Sequence, residues 1–430
     1  MKNDALLERF LRYVKIDTQS KEGSETYPST AKQWDLLRLL ERELKELGLA
    51  DVRLDRHGYV MASVPSNLPK DDPAYGKVPP IGLLAHVDTS EAAPGGPVKP
   101  QVFTYEGGDI VLPADKSIVI KASENPGLKD CVGTTVITTD GTTLLGADDK
   151  AGVAIIMSAV ERWLKDPKRL HGDVKIAFTP DEEVGAGTEH FDLKAFGAEA
   201  AYTLDGDAVG ELNKETFSAN GATLTVEGRD IHPGMAKDVM VNSMRVACDF
   251  VSRMPRHMRP ETTQDYEPFI HPYAMECTIV KTTVKFILRD FKTPGLAEQE
   301  RILRKILAEV QPLYPQAKMT LEFREQYRNM DEGLKKDPRV VDALWEAVGR
   351  AGLKPYWKPI RGGTDGSRLT AMGLPTPNVF TGGANYHSRS EWASLDGMHK
   401  ALETTLHLME VWVEKSRTGS PKKAKAGAKK

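Results

Sequence analysis

Helical segments alternate with short apolar runs through the first half of this chain, and few folds accommodate that alternation. The opening stretch MKNDALLERFLRYVKID places Leu6, Leu7, Phe10, Leu11 and Val14 on one side of a helix. A second helix is expected from about Thr30 to Leu47, with Leu36, Leu37, Leu40, Leu44 and Leu47 at helical spacing and Gly48 as its cap. Strand-like runs follow: VRL near Val52, YVMASV near Tyr59, IGLLAHV from Ile81, VKIAFTP from Val174 and AYTLD from Ala201. The helical AGVAIIMSAVERWL lies among them. Strands that alternate with helices predict an α/β sheet covered on both faces.

The middle third has another rhythm. ATLTVEG from Ala222 reads as a strand and NSMRVACDFVSRM from Asn242 as a helix. MECTIV from Met275 and TVKFILR from Thr283 read as paired strands, GLAEQERILRKILAEV from Gly295 as a helix, and KMTLEFREQY from Lys318 as a last strand. The order β-α-β-β-α-β is the ferredoxin-like signature. The expected organisation is therefore a mixed-sheet α/β domain from residues 1–215 and 329–415, interrupted by an α+β domain over 216–328. The sequence shows no internal repeat at a fixed short period.

Bulk properties narrow the function. No run is long enough and apolar enough to span a bilayer. Asp4, Glu8 and Arg9 interrupt the N-terminal segment, which is not a signal peptide by its pattern. Cys131, Cys248 and Cys277 are odd in number and scattered, so neither a disulfide framework nor a CxxC zinc site is implied, and a cytoplasmic setting fits. Residues 415–430 hold seven of the positive charges and no acid; with the net charge at −3, the body carries seven charges fewer, or −10. Residues 416–430 are read as a disordered Lys-rich tail, and the acidic body speaks against nucleic acid as the main partner.

Five short segments concentrate metal-ligand residue types where α/β proteins place their chemistry. In LLAHVDTS, His86 and Asp88 stand two apart, so a strand presents both on one face. A carboxylate there can partner the second ring nitrogen of a ligating histidine. In TTLLGADDKAG, Asp148 and Asp149 precede a helix, where acids also favour the helix dipole without any metal. FTPDEEVGAG places Asp181, Glu182 and Glu183 after a strand; one glutamate can bind metal while its neighbour stays free as a general base. Asp205 ends the strand of YTLDGD, with Asp207 as competitor, and His387 sits in the loop TGGANYHSRSEW with Glu391 four residues on. Singly each is weak; jointly they supply two histidines and several carboxylates, a mix suited to zinc or a similar divalent ion.

AHVDTS, GADDKAG, TPDEEVG, LDGD and YHSRSEW, in this order and spacing, resemble the M20 family of zinc peptidases, and most nearly its tripeptide aminopeptidases. The likeness extends to VKIDTQS, GRDIHPG, ILRDF and PIRGGTDGSRLT and runs to about Glu414. It implies two zinc ions per subunit: His86 and Asp205 on one, Glu183 and His387 on the other, Asp148 bridging them. It implies Glu182 as general base toward a bridging water, Asp88 orienting His86, and His232 as an oxyanion donor from the inserted domain. The inserted domain is then a lid and homodimer interface, and the substrate a tripeptide. Arg289, Asn242 and Arg361 are candidate substrate-binding residues; Asn242 reads equally as a helix cap. The same ligand set would also serve a dipeptidase or an N-acyl amino acid amidohydrolase.

Overall fold

Four parallel strands form the middle of an eight-stranded mixed sheet. They lie in the order Val174–Thr179, Ile81–His86, Ala200–Gly206 and Asn378–Phe380. Antiparallel Val60–Val64 and Arg53–Leu54 extend one side, and Glu211–Asn213 and Tyr356–Trp357 the other. Ile81–His86 is buried at every residue, as a strand covered on both faces must be. This computed structural model describes residues 4–418.

The chain divides into two compact units. The sheet belongs to the first, which holds the chain up to Lys214, Glu332–Lys358 and the segment from Thr364 onward; the second holds Glu215–Asp331 and Pro359–Gly363. The last segment differs from the sequence expectation, which gave 359–363 to the α/β part. Thr216 bridges Ile360, and Arg361 donates to the carbonyls of Asp265 and Glu267, so the strip is stitched into the second unit.

In the first unit the helix Ala147–Lys165 packs against Ile81–His86 and Ala200–Gly206 and is flanked by Ala5–Val14 and Leu395–Arg417. Its residues Val153, Ala154, Ile155, Ile156, Met157, Ala159 and Val160 are all fully buried. Apolar side chains all round mark a central helix, and each large one contributes about 1.5–3 kcal/mol by leaving water. Gly152 permits the closest approach: a Cβ there would lie 2.1 Å from the carbonyl oxygen of Leu204. Leu395–Arg417 takes in Ser416 and Arg417, which the sequence reading had placed in the tail; the tail from residue 419 lies outside the described residues.

A second sheet of this unit went unforeseen. Gly383–Ala384, Trp392–Ser394, Thr135–Thr138 and Gln101–Thr104 form four antiparallel strands of two to four residues. The loop carrying His387 is the connection between the first two.

The second unit is a four-stranded antiparallel sheet in the order Phe269–Cys277, Lys281–Asp290, Ser218–Glu227, Lys318–Tyr327. The helices Ser243–Ser252 and Thr293–Val310 pack on it. Leu224, Val226, Phe250, Phe286, Leu288 and Leu303 form its core. With these two helices the chain order is β-α-β-β-α-β, and each apolar helix face meets the alternating inward residues of the strands.

Candidate metal centre

The carboxyl ends of the parallel strands deliver the candidate residues to one place. His86 is the last residue of its strand, Asp205 the last but one of its own, and the Asp181–Glu183 turn follows Thr179. Such ends are where open α/β sheets bind ligands. Asp148 arrives differently. It and Asp149, joined by a cis peptide, depart from helical geometry at the head of Ala147–Lys165, so the regular helix begins after them. His387 stands in its loop with φ at +61°, in the left-handed region.

Asp148 is the hub. Its Oδ1 lies 3.0 Å from Nε2 of His86, and its Oδ2 lies 3.1 Å from Nε2 of His387. Asp205 Oδ1 is 3.6 Å from the same His86 nitrogen, and Glu183 Oε2 is 2.8 Å from the same His387 nitrogen. One carboxylate thus faces two histidines, each of which also faces a second carboxylate. Ligand atoms of His86, Asp148 and Glu183 lie within 4.8 Å of one another, as do those of His86, Asp149 and Asp205. Asp149 is the less suitable ligand of the second set. One of its oxygens accepts from the amide of His86 and the other from that of Gly152, at 3.2 and 3.1 Å. Asp207, the rival of Asp205, pairs instead with Lys358 at 3.2 Å and is half exposed.

Asp88 is fully buried and does two things. Its carboxylate accepts from the amides of Glu182 and Glu183, at 3.0 and 3.2 Å, which fixes the acidic turn. The Nδ1 of His86 lies 3.1 Å from its carbonyl oxygen and 3.4 Å from its Oδ1, so the ring is oriented by backbone and side chain together. Asp181, left-handed at φ +57°, anchors the other end of the turn. It accepts from the amide and hydroxyl of Ser29 and, at 2.6 Å, from Gln33.

Electrostatics give a test of whether the residues fit a cation. Burial pushes the Glu183 carboxyl up to about 7, helped by the charge of Asp148, and pushes Asp205 up to about 7 as well. Glu182 is driven well above its ordinary value by burial and by the charges of Asp205, Asp365 and Glu183. Burial would lower His86, but its bonds to Asp148, Asp205 and Asp88 raise it well above the usual value. The bonds of His387 to Asp148 and Glu183 raise it to about 11. Asp148 alone moves down: burial works against it, but the bonds from His387 and His86 prevail. Buried acids that resist ionising beside histidines that hold their protons mark a place short of positive charge. Glu183 Oε1 is moreover buried with no hydrogen-bond partner among the described residues. A buried orphan oxygen is costly unless something binds it. The donor set of two imidazoles and three carboxylates fits divalent cations of the zinc kind.

The family model described as Peptidase family M20/M25/M40 matches residues 139–411. The chain belongs to this peptidase family. A curated relative, Peptidase T of Exiguobacterium sp., is 46% identical over 413 residues, covering 96% of this chain and 99% of its own. Among solved structures, aminopeptidase PepT of Bacillus cereus superposes with a TM-score of 0.72 at 21% identity, over 95% of this chain and 98% of that one. A tripeptidase of Staphylococcus aureus gives 0.74 at 21% identity, over the same shares. As an M20 chain this is a peptidase with an α/β fold, and no helix among the described residues is long and apolar enough to cross a membrane.

The remaining expected residues belong to the second unit. His232 is exposed, and its Nδ1 accepts from the amide of Gly234 at 3.1 Å. Arg289 donates to the carbonyl of Leu288 and to Gln326, both at 3.0 Å, and lies over the ring of Tyr327. Asn242 caps Ser243–Ser252, accepting from the amides of Met244 and Arg245. Arg361 reaches Thr263 and the carbonyls named above, and it lies over Phe217 and Phe269. Asn242 and Arg361 thus already have structural work within the unit. Two further buried acids of the first unit bear on Glu182 and Asp148. Asp365 is buried, accepts from Thr179 at 2.7 Å, and its charge bears on Glu182. Glu391 is buried at the end of the His387 loop. Neither position has a sequence signal beyond being an acid near a glycine-rich or histidine-bearing loop.

Proposed function

We propose that this peptidase is a two-metal aminopeptidase that releases the N-terminal residue of tripeptides. The reading rests on one observation above the rest: the carboxylate of Asp148 divided between His86 and His387, at 3.0 and 3.1 Å. A bridging acid between two His–carboxylate pairs is the arrangement that two cations require. His86 and Asp205 would hold one, Glu183 and His387 the other, and Asp148 both. Zinc is the proposed ion at each position, since imidazole and carboxylate together suit it. When bound, such a pair polarises a peptide carbonyl and acidifies water.

The chain's own residues then do the following. Glu182 removes a proton from the water whose oxygen attacks the carbonyl carbon. It returns that proton to the amine nitrogen as the C–N bond breaks. Asp88 holds the amide of Glu182, so the base is placed through its own backbone. His232 is the proposed donor to the oxyanion and Arg289 the proposed partner of the substrate carboxylate, in a second unit that serves as lid and homodimer surface. Cys248 and Cys277 are exposed free thiols, which suits a reducing cytoplasm.

The specificity is supported by near full-length likeness to a Peptidase T and by the tripeptidase fold match. The test is a panel of di-, tri- and tetrapeptides, free and N-acetylated, with metal content measured on the same sample. Cleavage of free tripeptides alone is expected. Preference for dipeptides or N-acetylated substrates would replace this reading with a dipeptidase or an amidohydrolase.

A further inference from the structure

The loop that carries Asp148 hangs on a single side chain from the other end of the chain. Glu391 is 1% exposed, and its carboxylate accepts three backbone amides at once. Oε2 takes those of Leu145 and Gly146, at 2.7 and 2.8 Å, and Oε1 takes that of Asp148 itself, at 3.1 Å. These bonds cross 243 to 246 positions of sequence. Glu391 also stands four residues after His387, directly before the strand Trp392–Ser394. That strand pairs with Thr135–Thr138, so the frame around the carboxylate is itself hydrogen-bonded.

The non-helical start of Ala147–Lys165 explains why such a device is needed. Amides at the head of a helix lack intrahelical acceptors, and here the turn also departs from helical geometry at Asp148 and Asp149. An anionic acceptor for three amides gives charge-assisted bonds, about twice as strong as neutral ones. We infer that Glu391 is a positioning residue of the metal centre, tying the Asp148 loop to the His387 loop so that the shared carboxylate and the second histidine stay in register. Both oxygens of Glu391 are taken by backbone amides, so it acts through the backbone of one ligand and the chain neighbourhood of another. The inference rests on the two-metal reading proposed above.

Glu391→Gln keeps the shape and removes one acceptor oxygen. Its amide nitrogen must then face either the Asp148 amide or the Leu145–Gly146 pair, donor against donor. The experiment is a chelator-competed zinc titration of the full-length chain, with tripeptide kinetics across added zinc. Supporting residues of this kind cost roughly 10–100-fold in metal affinity when changed, and that loss is expected for E391Q. Excess zinc should restore kcat while KM stays at the wild-type value, a pattern that general loosening of the fold would not produce. Glu391→Asp guards against a variant that fails to fold. It keeps the charge, falls one methylene short of the three amides, and should show an intermediate loss of affinity.

Zinc affinities of both variants within about threefold of wild type would overturn the inference, since that is well below the loss such residues carry. So would a kcat deficit that excess zinc leaves untouched in both. A wild-type chain that binds fewer than two ions would overturn the two-metal reading instead, and the wild-type arm separates the two failures.

Discussion

The two units treat their polar side chains in opposite ways. In the second, the polar residues singled out from sequence find protein partners close by: Asn242 takes two amides of its own helix, and Arg361 takes two carbonyls and a hydroxyl. In the first, His86, Asp148, Glu183, Asp205 and His387 have chiefly one another, and Glu183 keeps an oxygen with no partner. The first pattern is what folding alone selects, because polar groups withdrawn even partly from water are satisfied in place. The second leaves stability unused, which marks a site built for something added to it. A run of strands and helices can thus be scaffold or chemistry, and the accounting of its buried polar atoms tells which.

The contrast is broken or sharpened by four experiments. Glu182→Gln should cost the most, roughly 10²–10⁴-fold or more in kcat with zinc content unchanged, as loss of a general base does; near-normal turnover in that variant removes Glu182 from the role. Stripping the metal by dialysis against chelator should abolish peptide cleavage and lower the melting temperature of the first unit. A ligand at 100 times its Kd adds about 2.7 kcal/mol to the folded state, so zinc added back should raise it again. Leu288→Ala, in the core of the second unit, should cost about 2–5 kcal/mol in chemical denaturation and leave zinc stoichiometry untouched. A drop in bound metal there would join the units more closely than their separate chemistries suggest. Asn242→Ala should cost about 1 kcal/mol as a lost cap, read by melting, with KM for tripeptides unchanged. A raised KM would return it to the substrate.

A smaller effect concerns pH. Asp4 caps Ala5–Val14 and meets His399 at 2.7 Å. Burial alone would raise its carboxyl, but the bonds from His399 and from the amides of Leu7 and Leu6 outweigh this and hold it below its ordinary 3.8. A lowered folded value means the stabilisation is present above the unfolded pKa and disappears as pH falls through the folded one. Asp4→Asn should therefore lower stability at neutral pH and converge with wild type only once pH has fallen through the lowered folded value, as followed by melting across pH.

What the sequence disclosed follows from where the information lay. Three of the four parallel strands were legible because each is a largely apolar run, and their ends because His86, Glu183 and Asp205 each stand at or just beyond such a run. The sheet that includes Gly383–Ala384 and Trp392–Ser394 was not legible: its strands have two to four residues, too short for a period, and Trp392–Ser394 reaches Thr135–Thr138 across more than 200 positions. The membership of Pro359–Gly363 was hidden for a like reason, since a bridge to Thr216 and the reach of Arg361 leave no local pattern. Glu391 was visible only as an acid near a histidine. Its partners are backbone amides, and an amide has no letter in the sequence.

Gly152 has a consequence for how such a chain can change over generations. It lies where the helix behind Asp148 meets the strand that ends near Asp205, and a single methyl would collide with the Leu204 carbonyl and with Asp149. The gap between Asp148 and Asp205 is thus set by backbone against backbone. Drift in the surrounding side chains can reshape what the enzyme accepts, yet it has no purchase on this spacing. At that point the chain writes in an alphabet of one letter, and new specificities must be composed elsewhere.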